Sequence, residues 1–417
     1  MSIQRKQLNI GLFGFGVVGE GLYRVLNQTS SLQAQIKKVC IKHPEKKRNA
    51  PAGLFTTHAT ELLNDESINV IVELIDDADA AFDYVSEALK RGKAVVTANK
   101  KLVAEHFEEL LQLQQQYQTP LLYEAACCAS IPVIRNLEEY YDNDLLQSIS
   151  GIVNGSTNYI LTRIFQDKLS FSEALEQAQI EGFAESNPAL DVEGIDALNK
   201  LSILLAHAYG ITQHPATIVH SGIQHIQAQD ARFAREKGYE IKLVAQAVKK
   251  DDGNIAAFVL PQFVDKTSQL YNVKNEYNGV VIESGFADKQ FFYGKGAGSF
   301  PTASAVLSDL SALRYDYKYE YKKLHSTVRP SLTDDLLLRV YVSFEGLFHV
   351  PHECFEKIEE WSSSEQRCHV IGIVKFSRLK TEHWWKKPGA SLIVCPDAFV
   401  SSLPETADHR IEEAVFA

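Results

Sequence analysis

The chain has 417 residues, 45% of them hydrophobic and 23% charged, and a net charge of −11. That length calls for two or three domains, and an acidic balance leaves no basic surplus to neutralise phosphates, which argues against nucleic acid as the main partner. No apolar run approaches the roughly 18 residues of a membrane helix. The six cysteines show no CxxC spacing and the first residues lead directly into a strand with no signal peptide, so a cytoplasmic protein with reduced thiols is expected.

Up to about Leu122, short apolar runs alternate with helical stretches. Strands are expected at Asn9–Phe13, Val39–Lys42, Asn69–Leu74, Ala94–Thr97 and Pro120–Tyr123, with helices at Val18–Gln28, Ala59–Asn64, Ala78–Arg91 and Leu102–Gln118. Such alternation implies right-handed βαβ units and a Rossmann-type parallel sheet. The character changes after Ile131-Pro132, and helical patterning dominates from Ser156 to about Ala234. Strands follow at Ile241–Val248, Ile255–Leu260, Gly279–Glu283 and Gln290–Tyr293, the style of an α+β domain. A helix is expected from Thr302 to about Leu324. Beyond Arg329-Pro330, Leu336–Ser343, a helix near His352–Trp361, Cys368–Phe376 and Ser391–Cys395 form a small strand–helix–strand–strand unit. The expected domains are 1–130, completed by a returning helix at 301–325; 131–300; and a C-terminal unit at 331–417.

Gly14-Phe15-Gly16-Val17-Val18-Gly19 follows the first strand and opens a helix. The first glycine permits the tight turn, the second lets the backbone approach a pyrophosphate, and the third allows close helix–strand packing. The βαβ context behind it supports dinucleotide binding over a turn used only for packing. The second strand ends Cys40-Ile41-Lys42-His43, followed by Lys46, Lys47 and Arg48, with no acid at its tip. Cations there favour a 2′-phosphate, hence NADP, with NAD as the alternative.

Between Glu185 and Lys200 the chain places Glu185, Asp191, Asp196 and Lys200 just before the apolar run Leu201–Ala208. Asp196 and Lys200 are four apart, so they share one helix face. On an arbitrary helix such a pair is a solvated surface ion pair. Here the apolar continuation implies burial, where unpaired charge is costly.

Val95-Val96-Thr97-Ala98-Asn99-Lys100, Tyr123-Glu124-Ala125 through Ser130-Ile131-Pro132, Gly151-Ile152-Val153-Asn154-Gly155-Ser156-Thr157-Asn158-Tyr159-Ile160, and Gly296-Ala297-Gly298 leading to Asp309-Leu310 join these two motifs. Together, from Ile10 to Leu313 and in order, they resemble homoserine dehydrogenases. The resemblance implies NAD(P)-dependent interconversion of aspartate 4-semialdehyde and homoserine, on the route to threonine and methionine, in a homodimer or homotetramer. It implies Lys200 as the proton donor, a role that suits a lysine whose pKa burial lowers. Lys100 would lie beside the nicotinamide and the substrate oxygen, with Asp196 orienting Lys200 or holding the substrate's ammonium group. Glu185 and Asp191 would hold the α-amino group. Gly14, Phe15, Gly16, Val17, Val18, Gly19, Thr97, Asn99, Lys100 and Gly298 would meet the cofactor. In the family a monovalent cation, sodium-like, is wrapped by backbone carbonyls, here those of Glu124, Cys127, Ala129 and Ile131; a hard cation wants oxygen donors.

Three departures stand out. Cys127-Cys128-Ala129-Ser130 replaces a glycine-rich run, and Asp76-Asp77 replaces two glycines near the nicotinamide ribose. The C-terminal unit occupies the place of an ACT regulatory domain, yet Phe344-Glu345-Gly346 does not reproduce its ligand loop, so a packing or oligomer-stabilising role is expected. Two rival readings follow: a non-catalytic NAD(P)-binding sensor, and a semialdehyde dehydrogenase using Cys127 or Cys128 as a thiolate, which needs a histidine base.

Overall fold

In the computed structural model, residues 6–143, 145–344, 350–362 and 368–400 are described; Glu345 and Gly346 of the C-terminal turn lie outside them. The N-terminal strands β1 (Leu8–Phe13), β2 (Ala34–Cys40), β3 (Phe55–Thr56), β4 (Val70–Glu73), β5 (Ala94–Thr97) and β6 (Leu121–Leu122) form one parallel sheet in the order β3-β2-β1-β4-β5-β6. This is the doubly wound order, and the order in which the parallel strands are added reverses between β1 and β4, where nucleotides bind at the strand ends. Continuous apolar runs such as Val70-Ile71-Val72 are buried because helices cover both faces. The expected helix Leu102–Gln118 is two, Lys100–Glu105 and Phe107–Tyr117, broken at His106.

The second sheet holds β7 (Leu146–Ile152), β8 (Val219–His220), β9 (Glu240–Lys249), β10 (Ile255–Val264), β11 (Tyr277–Ser284) and β12 (Asp288–Lys295). It continues into β13 (Leu337–Phe344), β14 (Phe355–Ser362), β15 (Cys368–Lys375) and β16 (Ala390–Val400). The order is β12-β11-β7-β9-β10-β16-β13-β15-β14, with β8 beside β10. The C-terminal strands therefore extend the central sheet, β16 meeting β10 in parallel at Gln262 and Val394. Asp230, fully buried, reinforces that junction: its carboxylate accepts from the Tyr341 hydroxyl at 3.1 Å and the Ser343 hydroxyl at 2.6 Å.

The structure corrects three local expectations. The segment near His352–Trp361 is no helix but a short turn at His352–Cys354 followed by strand β14. Phe355, Ile358 and Trp361 are spaced like one helix face. Two register shifts against β15, at Phe355/Lys357 and Ile358/Glu360, instead let all three pack on the same C-terminal core. The helix expected to reach Leu324 spans Ser299–Leu313. Beyond it Tyr317, Tyr319 and Tyr321 alternate with polar residues and enter the core from irregular chain, followed by a single turn at Lys322–His325. Strand β7 was not anticipated, since its Leu-Gln-Ser-Ile-Ser-Gly-Ile pattern is weakly apolar.

The helix Ser299–Leu313 returns to the first sheet and packs on Val17–Gln28 at Gly21. A Cβ at Gly21 would stand 2.4 Å from Ser299 Oγ and 3.0 Å from its carbonyl oxygen, while the Ser299 hydroxyl donates to the Val17 carbonyl at 2.7 Å. Gly21→Ala is expected to cost about 1–3 kcal/mol by forcing the helices apart. Denaturant unfolding checks this, and unchanged stability would mean the packing is looser than described.

Candidate active site

The glycine turn is built as the motif requires. Gly14 has φ +91°, and a Cβ there would lie 2.5 Å from the Leu74 carbonyl oxygen. A Cβ at Gly19 would meet the Gly14 carbonyl oxygen at 2.5 Å, whereas one at Gly16 would meet nothing within 4 Å. The middle glycine thus faces open space at the start of Val17–Gln28, whose first N–H groups have no side-chain cap. That combination is a cradle for an anionic group. Phe15 packs edge-on to Tyr23 and Phe55, Val17 is exposed and Val18 half-buried at the same turn, and Gly298, φ +115°, precedes the returning helix.

Beyond β2, a cleft of about 450 Å³ is lined by Ile41, Lys46, Arg48, Phe55 and Thr56 among others. The Arg48 guanidinium lies over the Phe55 ring, 5.6 Å from its centroid, and donates to the Lys46 carbonyl at 2.7 Å.

The carboxylate of Asp196 sits at the centre of the second cluster. Helix Ile195–Tyr209 is buried along almost its whole length, and Asp196 on its first turn is 5% exposed. One oxygen, Oδ2, accepts from Lys200 Nζ at 2.7 Å, one turn along the same helix. The other, Oδ1, is 2.7 Å from Lys100 Nζ, at the start of the helix that follows β5. Burial by itself would raise this carboxyl's pKa; the two ammonium groups override it and hold Asp196 well below the usual carboxylate range.

Lys200 is buried and commits a second proton to the Val153 carbonyl at 2.6 Å. Lys100 is 42% exposed. The Asp196 charge raises the Lys100 pKa, so it stays an ammonium.

Asn154 completes the cluster and was not singled out from the sequence. Its Oδ1 accepts from the Thr157 N–H at 2.8 Å, capping helix Gly155–Gln166. Its Nδ2 donates to Asp191 at 2.7 Å and to Asp196 at 2.8 Å. A single amide thereby starts a helix and spaces two carboxylates. The signal was available, because an Asn directly before Gly-Ser-Thr is a helix N-cap whose free amide nitrogen must find acceptors. Asp191 has its pKa raised by burial and by the Asp196 charge. Glu185 stands outside this network, exposed on the loop before Ala189–Val192, with its carbonyl held by the Gln179 amide at 2.9 Å.

Thr97 and Asn99 shape the turn that delivers Lys100: the Thr97 hydroxyl accepts from the Asn99 N–H at 2.9 Å, and Asn99 caps the helix Lys100–Glu105. Asp77, one of the two acids in place of glycines, caps helix Ala78–Lys90 by accepting from the Ala80 N–H at 3.1 Å. Its carboxylate is thus engaged by its own helix.

The Glu124 carboxylate accepts from the N–H groups of Ile134 and Arg135, both at 2.9 Å, and its own N–H donates to Asp309. Burial, then the Asp309 charge, pushes its pKa up to about 8. The following Cys128 and Ala129 have φ +47° and +37°. Cys127 and Cys128 are buried, and burial pushes the Cys128 thiol up to about 11 and Cys127 also well upward. Neither is placed to be a thiolate at neutral pH.

A family model for the NAD-binding domain of homoserine dehydrogenase matches residues 14–124, and the homoserine dehydrogenase model matches 132–311. Homoserine dehydrogenase of Bacillus subtilis is 36% identical over 317 residues, 74% of this chain and 73% of its own length. The crystal structure of a homoserine dehydrogenase from Thiobacillus denitrificans superposes with a TM-score of 0.82 at 27% identity. It covers 94% of this chain and 98% of that one. A Staphylococcus aureus homoserine dehydrogenase structure superposes with a TM-score of 0.71 at 28% identity, over 94% of this chain and 99% of that one. A nucleotide cradle beside a buried Asp–Lys–Lys cluster, on a chain matched by both family models, places this protein in the homoserine dehydrogenase family.

Proposed function

We propose that the chain reduces aspartate 4-semialdehyde to homoserine, reversibly, with the proton moved by Lys200. The observation that carries this is the Asp196 carboxylate shared between Lys200, on its own helix, and Lys100, at the start of the helix after β5. When bound, the nicotinamide supplies the hydride. Lys200, with two of its three protons committed to Asp196 and Val153, has one left for the carbonyl oxygen that becomes the hydroxyl. Lys100 stabilises the negative charge developing on that oxygen. Asp196 aims both ammonium groups. Asp191, its separation from Asp196 set by Asn154, and Glu185 on its exposed loop hold the substrate's α-ammonium.

With NADPH oxidation as the assay, Lys200→Ala is expected to lower kcat by about 10²–10⁴, while Cys127→Ala stays within about threefold because a buried neutral thiol does no chemistry. Asn154→Ser keeps an oxygen for the helix cap but cannot reach both carboxylates, so KM for the amino-acid substrate should rise by about fivefold or more. Full kcat in Lys200→Ala would overturn the assignment, and loss on Cys127→Ala would favour a thiolate enzyme. Wild type that binds but never turns over either nucleotide would favour a sensor.

The cleft beyond β2 supports NADPH over NADH. Lys46 and Arg48 line it, no carboxylate stands at the β2 tip, and Arg48 is braced on Phe55. Arg48→Ala should raise KM for NADPH by about tenfold through loss of a charge-assisted contact and leave KM for NADH nearly unchanged. An equal change for both nucleotides counts against a 2′-phosphate site.

A monovalent cation, sodium by its hard-donor preference, fits the Glu124–Ile131 loop. The donors would be the main-chain carbonyls of Glu124, Cys127, Ala129 and Ile131, which the altered side chains do not remove. Cys128 and Ala129 hold left-handed backbone angles without glycine, at a cost of about 1–2 kcal/mol each, which the fold accepts to keep the loop's shape. The cation would tie this loop together and take no part in the hydride step. Melting in sodium chloride against tetramethylammonium chloride at equal ionic strength should show a higher Tm in sodium; identical Tm values would speak against the site.

The domain division is 1–130 with the returning helix, 131–300, and the C-terminal strands as a packing extension. Edge strand β12, with exposed Phe291 and Tyr293, supports an isologous dimer of this cytoplasmic enzyme.

A further inference from the structure

Glu73 ends β4 with none of its surface exposed. Its Oε1 accepts from the Ile75 N–H at 2.6 Å and its Oε2 accepts from the Thr97 hydroxyl at 2.5 Å. The Thr97 oxygen in turn accepts from the Asn99 N–H at 2.9 Å. The Asn99 side-chain amide returns to the Ile75 carbonyl at 3.1 Å, and its oxygen accepts from the Leu102 N–H at 3.0 Å. These contacts close a ring between the tails of β4 and β5, and the next residue after the ring is Lys100.

When ionised, the Glu73 carboxylate can only accept hydrogen bonds, and in that form it obliges Thr97 to donate. Thr97 then has its lone pairs free for the Asn99 N–H. A glutamine in the same place would present a donor to that hydroxyl and reverse its polarity. Filling the end of a strand requires no charge, and burying one is costly. Burial, and to a lesser degree the charge of Asp76, pushes the Glu73 pKa up to about 7 against the lowering effect of its hydrogen bonds. Both of its oxygens are engaged, one by the Ile75 N–H and one by the Thr97 hydroxyl, so what the group does here is direct those two donors.

We propose that Glu73 is a positioning residue for hydride transfer: acting through Thr97 and Asn99, its carboxylate holds the turn that brings the Lys100 ammonium to Asp196 and to the reacting oxygen. The inference rests on the role given to Lys100 above. Glu73 touches neither substrate nor cofactor in this scheme, and its effect reaches the chemistry only through that turn.

The test compares Glu73→Gln, Thr97→Val, the double variant and Lys100→Ala in steady-state kinetics, with circular dichroism and Tm to establish folding. Glu73→Gln is expected to lower kcat by about tenfold or more while KM for homoserine moves less than about threefold, because misorientation costs the transition state rather than binding. Thr97→Val should show the same split. The double variant should lose no more than the worse single, since both break one chain of contacts. Wild-type kcat in folded Glu73→Gln, or losses that multiply in the double variant, would overturn the proposal. If Glu73→Gln does not fold, Thr97→Val decides, and unchanged kcat there overturns it. Lys100→Ala separates the two levels: if it is impaired while Glu73→Gln is not, only the positioning role falls. If Lys100→Ala is fully active, the role of Lys100 falls and this proposal with it.

Discussion

The structure depends on one buried carboxylate with two cationic partners. Asp196 brings a negative charge into a helix that is otherwise core, and that charge is tolerable only because each oxygen meets an ammonium group and one also meets an amide. Removing a partner from such a buried pair typically costs about 3–5 kcal/mol. The requirement therefore fixes more than one side chain. It ties helix Ile195–Tyr209 to the helix that follows β5, fixes Lys200 one turn along from Asp196, and holds Lys100 across from it. The geometry of the cluster and the packing of the two helices are set by the same contacts.

Around that centre the fold repeatedly gives up local ease for close approach. Gly21 has no side chain because Ser299 occupies the space a Cβ would need, and this lets the returning helix lie beside the one that opens at the glycine turn. Cys128 and Ala129 adopt left-handed backbone that glycine would adopt freely. Asn154 serves a helix end and two acids with a single amide. Each device sits at a junction between the two sheets or at the end of a strand, where backbone direction changes and small errors would be transmitted to the reacting groups.

The departures from the family pattern become intelligible in the same terms. Asp77 is drawn into capping the helix that follows it, so its charge meets a helix N-terminus. The adjacent cysteines are packing residues, their thiols kept neutral by burial. The C-terminal strands do not stand apart as a strand–helix–strand–strand unit. They lengthen the central sheet and are held to it by Asp230 as well as by β16.

The sequence alone determined the parallel nucleotide sheet, the glycine turn and the Asp196–Lys200 pair, because each depends on neighbours within a few residues: alternation of runs, a tight turn, one helical repeat. It also determined the family, since motifs from Ile10 to Leu313 occur in order. It misjudged the segments whose shape depends on a distant partner. Phe355, Ile358 and Trp361 have helical spacing but lie in a strand because β15 imposes two register shifts. Tyr317, Tyr319 and Tyr321 leave the helix because all three rings pack into the core. Which carboxylates the Asn154 amide meets, the approach of Lys100 to Asp196, and the ring rooted in Glu73 were legible only in three dimensions. Their partners lie tens of residues away in the chain, and buried polar groups choose partners by proximity in the folded state. Local patterns set the elements; the need to satisfy buried charge decided how they meet.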